Sequence, residues 1–433
     1  MSSQLADFES SGNCIHCGLC IASCPTFLEL GTEMDSPRGR IQLMRSLRDG
    51  SVPLDDTSVR HLDLCLGCRA CETTCPSGVR YGSLIEGARG FIESRHRRSW
   101  LERMKRGLLN RAFPNPTIMK AFGWTVRSMT RLGLRRLAGT KLLPAFVRRS
   151  LRYLPEPEAP FRSVNLPEVT APAGPVRHRV GLLAGCVMQS LFGDTHASTV
   201  RLLTQHGCEV RVPAGAGCCG ALPLHNGDRE RGLALARRTI AAFDALDVEA
   251  VLTNAAGCGA AMREYGAHFK DDATYRPGAE RVAAKVRDVA EFLHALPDFA
   301  PTRNVNIKVA YHDACHLLNG QGVEAQPREL LKNIPGIEWI DLHEADVCCG
   351  SAGTYNLTEP ELAGRLAARK ARNVMATGAD VLVTGNPGCI LQIRAALREQ
   401  GSSIRVVHTA DFLAQAYVSG PAARDSAGAP ETE

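Results

Sequence analysis

Apolar positions after Ser36-Pro37, a pair that starts helices, fall at Ile41, Leu43, Met44 and Leu47, close to the helical period, and predict a helix. Leu101, Met104, Leu108 and Ala112, then Met119, Phe122, Val126 and Met129, have Lys or Arg between them. They predict two amphipathic helices broken near Phe113-Pro114-Asn115-Pro116. Six prolines between Pro155 and Pro175 predict an extended linker with little core of its own. Beyond it, short β-branched runs alternate with Ala/Arg-rich stretches, predicting strand, helix, strand, loop, helix, strand, loop, helix, and the order occurs twice. VGLLAGCVMQS around Cys186 matches VAYHDACHLLN around Cys315, GAGCCGA matches ADVCCGS, VLTNAAGCGA matches VLVTGNPGCI, and VRDVAEFLHAL matches VVHTADFLAQA.

The 433 residues, 44% hydrophobic, suffice for several domains. No apolar run approaches the ~18 residues of a membrane-spanning helix, and MSSQLADFESSGNC carries no basic segment leading into an apolar one. The expected location is cytoplasmic, with any membrane contact peripheral, on the cytoplasmic face of the inner membrane. The net charge of +6 conceals an asymmetry: from Arg95 to Arg152 sixteen Lys or Arg meet one acid, Glu102. Such a basic amphipathic connector suits an anionic membrane surface, an acidic partner, or a solvated face whose apolar stripe packs on the body of the protein. No nucleic-acid motif accompanies the charge, so no nucleic-acid partner is expected.

Seventeen cysteines in a reducing compartment point to metal binding or thiol chemistry rather than disulfides. Eight lie in two runs, NCIHCGLCIASCP and LCLGCRACETTCP, each C-x2-C-x2-C-x3-C-P. In that spacing three thiolates wrap one face of a cubane and the fourth serves the other cluster. One 4Fe-4S cluster is therefore assigned to Cys14, Cys17, Cys20 and Cys75, and a second to Cys65, Cys68, Cys71 and Cys24. A zinc site takes a C-x2-C pair and a distant second pair, a poorer match to eight evenly repeated cysteines. His16 is superfluous as a ligand and reads as a surface or packing residue.

Four further cysteines recur in each repeat: Cys186, Cys218, Cys219 and Cys258, then Cys315, Cys348, Cys349 and Cys389. In loops at the carboxyl ends of strands they are candidates for an additional cluster or metal, or for reduced and redox-active thiols, with Cys348 and Cys349 the candidate catalytic pair. Gly220 and Gly350 allow a tight turn there. Gly215-x-Gly217-x-x-Gly220 matches a dinucleotide fingerprint, but it sits inside the Cys-Cys-Gly loop and lacks the acidic partner, so a nucleotide site is rejected. Cys208 has no counterpart and reads as a small buried hydrophobe. His312 and His316 flank Cys315, where the first repeat has Leu183 and Val187. The expected fold class is α+β multi-domain: an α-helical ferredoxin-like N-terminal module, then two α/β Cys-Cys-Gly repeat subdomains with largely parallel sheets about a pseudo-twofold axis. The expected division is 1-95 for the helical 4Fe-4S domain, 96-175 for the connector and linker, 176-303 and 304-420 for the repeats, and 421-433 for a disordered tail.

Taken with DSPRGRI, CETTCPSGVRY, AGCCGA, GCGAAMREYG and CCGSAGTY, this layout resembles the iron-sulfur subunits of glycolate oxidase, or glycolate dehydrogenase, over nearly the whole chain. The resemblance implies an oxidoreductase complex in which FAD-bearing partner subunits oxidise glycolate, and this chain carries electrons through its clusters toward a membrane quinone. It also implies the eight N-terminal cysteines as ligands. Alternatives are the cluster subunit of a glycerol-3-phosphate or D-lactate dehydrogenase, a thiol/disulfide reductase acting at the repeats, or a structural metal-binding scaffold. The fuller Cys-Cys-Gly pattern ends in C-x2-C; Ala255 and Asn386 stand where its first cysteine would be.

Overall fold

The computed structural model describes residues 11–134 and 161–417, with Leu151, Tyr153 and Pro155 between them, so the tail expected at 421-433 lies outside the described residues. The N-terminal module is helical: Pro25–Leu30, Pro37–Asp49, Asp56–Asp63, Ala70–Thr73 and Tyr81–Arg95. Ser36 starts the second helix as expected, its Oγ accepting the Gly39 N–H at 3.0 Å with Pro37 at the first position. The spacing of Ile41, Met44, Leu84, Ile85 and Ile92 turns those side chains onto one core, with Leu62 between them.

Helices Trp100–Ala112 and Pro116–Arg131 follow, with the break at Phe113–Asn115. Asn115 caps the second, accepting the N–H groups of Thr117 and Ile118 at 3.0 and 3.1 Å. That helix buries Met119 and Val126 in a core shared with Met188 and Leu191. The Trp100–Ala112 helix does the opposite: its buried residue is Asn110, and its apolar stripe faces outward, so the reading that this stripe packs on the body fails here.

The proline-rich stretch is more than a linker. Phe161 is buried against Phe192, and Val169–Thr170 forms strand β1. Strands β2 (His178–Leu182), β3 (Cys208–Arg211), β4 (Ala250–Thr253) and β5 (Val286–Asp288) complete a sheet of order β1-β3-β2-β4-β5, parallel except for β1. The second sheet, β6 (Ile307–Tyr311), β7 (Ile337–Trp339), β8 (Val381–Thr384) and β9 (Arg405–His408), runs β7-β6-β8-β9 and is wholly parallel. Each repeat thus has a fourth parallel strand, β5 or β9, absent from the expected order; these strands have three and four residues. The fold class is as expected, a helical module followed by two largely parallel α/β units. Gly193–Gln205 of the first repeat packs on Thr409–Tyr417 of the second, and the equivalent pair, Ala325–Lys332 on Val289–His294, repeats the contact with roles exchanged. Val180, Leu182, Val309 and Val383 from both sheets meet in one core.

Candidate metal centre

The two N-terminal runs bend alike. Residues 16 and 18 in the first and 67 and 69 in the second are left-handed, with φ of 55°, 84°, 65° and 65°. Two of the four, His16 and Arg69, are not glycine, so the curl belongs to the spacing and is imposed even where a side chain resists it. Each curl encloses a cavity. Cys14, Cys17, Cys20 and Cys75 line one, which Cys71 also borders. Cys24, Cys65, Cys68 and Cys71 line the other. The last cysteine of each run therefore lies in the other run's cavity.

The donors around the second cavity suit an anionic sulfur cage. The Gly67 N–H lies 3.3 Å from Cys65 Sγ and the Tyr81 hydroxyl 3.7 Å from the same sulfur, while Thr26 Oγ1, 3.2 Å from Cys24 Sγ, donates to the Asp35 carbonyl at 2.7 Å. Buried Arg40 is held by the His61 carbonyl at 2.7 Å, Thr26 Oγ1 at 2.9 Å and Asp35 at 3.4 Å. Burial opposes its charge, but Cys65, Tyr81, Cys24 and Asp35 hold the guanidinium protonated. Burial likewise pushes the Cys68 and Cys71 thiols well up, so without a metal they are neutral. The first cavity is wetter: Cys17, Ile15 and Leu19 are exposed. His16 lies on its rim with Nε2 2.7 Å from Arg45 Nη1.

In the repeats, Cys186 and Cys315 begin helices Cys186–Leu191 and Cys315–Gln321, and Cys258 and Cys389 are the third residues of Ala256–Arg263 and Pro387–Glu399. These four stand on helix starts rather than in loops. Gly220 and Gly350, both at φ 85°, turn the chain after each Cys-Cys pair. Sulfurs line up in rows: Cys186, Cys218, Cys219 and Cys258 in one repeat, Cys315, Cys348, Cys349 and Cys389 in the other, each thiol bonding to the next. Hydrogen bonds from Cys186 and Cys219 hold the Cys218 thiol well below its usual range, while its neighbours are pushed up.

The rows differ in their surroundings. In the second, buried His312 brings a ring nitrogen within 4.8 Å of Cys349 and Cys389 sulfurs, and its Nδ1 lies 2.9 Å from the Ala345 carbonyl. Asn386, in the position of the missing cysteine, places Nδ2 3.5 Å from Cys389 Sγ, whereas Ala255 offers the first row nothing polar. The second row also touches the N-terminal module: after burial, the nearness of Cys315 is what pushes the Cys68 thiol up, and both residues border an apolar cluster of Leu64, Leu66 and Cys348. His316 Nε2 lies 3.0 Å from the Gly67 carbonyl. Cys208 is fully buried on β3, away from both rows. Sequence reasoning missed Arg40, although its place four residues before Met44 on the apolar face of a helix was a usable signal. It also missed Glu86, which His225 approaches at 2.6 Å; only tertiary packing joins those two.

Paired thiol-lined cavities in a helical module, followed by two cysteine-rich α/β units, define an iron-sulfur protein of the two-cluster class. A 4Fe-4S dicluster domain family matches residues 10–79 and a cysteine-rich domain family matches 180–263 and 309–394. The chain is 40% identical to a probable glycolate oxidase iron-sulfur subunit of Bacillus subtilis and 37% identical to the glycolate oxidase iron-sulfur subunit of Escherichia coli, covering 93% of each chain in both cases. It belongs to that family. It is also 28% identical to a subunit of the fumarate reductase (CoM/CoB) of Methanothermobacter marburgensis, over 95% of this chain and 73% of that one. A crystal structure of a hypothetical protein from Helicobacter pylori shares the fold, with a TM-score of 0.53 at 9% identity over 94% of this chain and 74% of that one.

Proposed function

We propose that the chain is the electron-transfer subunit of a flavin-dependent glycolate dehydrogenase complex, taking electrons from FAD-bearing partner subunits and delivering them toward a membrane quinone. The observation that carries this reading is the exchange of Cys24 and Cys75 between two cavities, each lined by three cysteines of one run and the last cysteine of the other, with Cys71 bordering both. It supports ligand sets Cys14, Cys17, Cys20, Cys75 and Cys65, Cys68, Cys71, Cys24. Bound clusters supply one-electron carriage. The chain's own residues curl the two loops, donate to Cys65 from Gly67 and Tyr81, and place the Arg40 charge beside the inner sulfurs. Substrate oxidation belongs to the partner subunits, and the 2-hydroxy acid in view is glycolate, as in the relatives' names.

Iron and acid-labile sulfide counted in the anaerobically purified complex test the assignment. Two cubanes predict about eight iron atoms per chain, and Cys20→Ser or Cys71→Ser about four. Either variant is expected to abolish electron transfer to an external acceptor while leaving flavin reduction by substrate intact. Undiminished iron in both variants would refute the ligand sets. A second reading, in which the repeats are redox centres themselves, is favoured by the closeness of Cys315 to Cys68. It predicts more than about eight iron atoms, or loss of turnover on replacing Cys348 with both cubane signals retained.

A further inference from the structure

We propose that the outward faces of the Trp100–Ala112 and Pro116–Arg131 helices form a docking surface for an anionic lipid bilayer. The first helix is turned inside out. Its polar side faces the protein, where Arg106 meets Asp63 at 3.1 Å and Asn110 bonds to Asn226 at 2.8 Å. Its solvent side carries Trp100, Leu101, Met104 and Leu108, 69%, 55%, 59% and 64% exposed, at the i, i+4, i+8 spacing that makes one stripe. A soluble helix directs such a stripe inward; one that directs it outward leaves apolar area to be covered by something else. On the second helix Ile118 and Phe122 are half exposed, and Trp124, 66% exposed, stands among Lys120, Arg127 and Arg131.

Charge selects the occupant. From Arg95 to Arg131 ten cations face a single acid, Glu102. Arg98 and Arg106 pair inward with Asp63 and Glu93, Lys105 donates to the Leu357 carbonyl and Lys120 to Asn165, which leaves Arg97, Arg103 and Arg111 exposed beside the stripe. Trp and Leu flanked by long cations is the pattern of a helix lying in the plane of a membrane: apolar groups enter the acyl boundary while the cations reach the phosphates. No helix among the described residues is long and apolar enough to cross, so the contact is in-plane. The proposal rests on the quinone reading only for its purpose, since a quinone resides in the bilayer.

Flotation of the intact complex with phosphatidylglycerol-containing vesicles, against phosphatidylcholine vesicles, tests it. The expected result is flotation with the anionic vesicles, weakened by salt, and roughly tenfold or more weaker for Leu101→Glu/Leu108→Glu. Both positions are exposed, so folding is spared; Leu108→Ile is expected to float like the native chain. Absence of flotation with anionic vesicles, or undiminished flotation of the double variant, overturns the proposal. So does loss of the flavoprotein subunits from the double variant in gel filtration, which would assign the surface to a protein. Iron content and paramagnetic signals of the same samples report separately: missing clusters with flotation intact would refute the electron-transfer reading alone.

Discussion

Arg40 keeps its charge while almost wholly buried because carbonyl, hydroxyl and carboxylate groups hold it and the inner cysteines surround it. A cation so placed favours added negative charge on the neighbouring cluster. Arg40→Met is therefore expected to lower the midpoint potential of that cluster by on the order of 50–100 mV, read in a redox titration followed by paramagnetic resonance. The outer cluster should shift far less. Asp288 is a different case. It caps Val289–His294 by accepting the Ala290 N–H at 2.8 Å, yet burial raises its carboxyl to about 7. An unfolded aspartate loses its proton near pH ~4. Between that pH and about 7 the folded chain keeps a proton the unfolded chain has lost, so stability falls as pH rises and levels off above the folded value. Asp288→Asn keeps the cap acceptor and removes the titration. In denaturant unfolding it should lack that slope between about pH 5.5 and about pH 7, and be about 2 kcal/mol more stable than the native chain near pH ~8.

Among the elements, the Cys-Cys-Gly turns have the least freedom. A Cβ on Gly220 would run into the Gly232 carbonyl of helix Arg229–Asp244, and one on Gly350 would lie 2.8 Å from the Ala363 carbonyl, both at positive φ. Gly220→Ala or Gly350→Ala is expected to cost about 2–4 kcal/mol in thermal unfolding, whereas Gly364→Ala, in open space on a helix, should gain about 0.5–1 kcal/mol. These turns were readable in the sequence because they occur twice, and Ser36-Pro37 was readable because a cap and a first-turn proline are local signals. Strands β5 and β9 were not: they exist by pairing with β4 and β8, and runs of three and four residues carry little period of their own. The Trp100–Ala112 helix was legible as a helix, but its orientation was not. Amphipathicity fixes which side is apolar, and only the inward bonds of Arg106 and Asn110 say which way that side points.

Across the whole molecule, the helical module is clamped to both repeats from one side. Tyr355 donates to the Leu64 carbonyl at 3.0 Å, Asn319 to the Cys68 carbonyl at 3.2 Å, Arg369 pairs with Glu29 at 3.2 Å, and Arg69 with Glu264. Around the two cavities the cysteines differ in burial: Cys24, Cys65 and Cys71 of one are buried, whereas Cys17 of the other is exposed and Cys14, Cys20 and Cys75 are half-buried. Iron loss to a chelator under mild oxidation should accordingly occur in two phases of about four atoms each, the outer cluster first. A single phase would contradict the difference in cover. The two halves of a duplicated unit thus differ in how deeply their cysteines are buried. A small oxidant in solution would therefore meet the half that carries exposed Cys17 before the half that carries buried Cys24, Cys65 and Cys71.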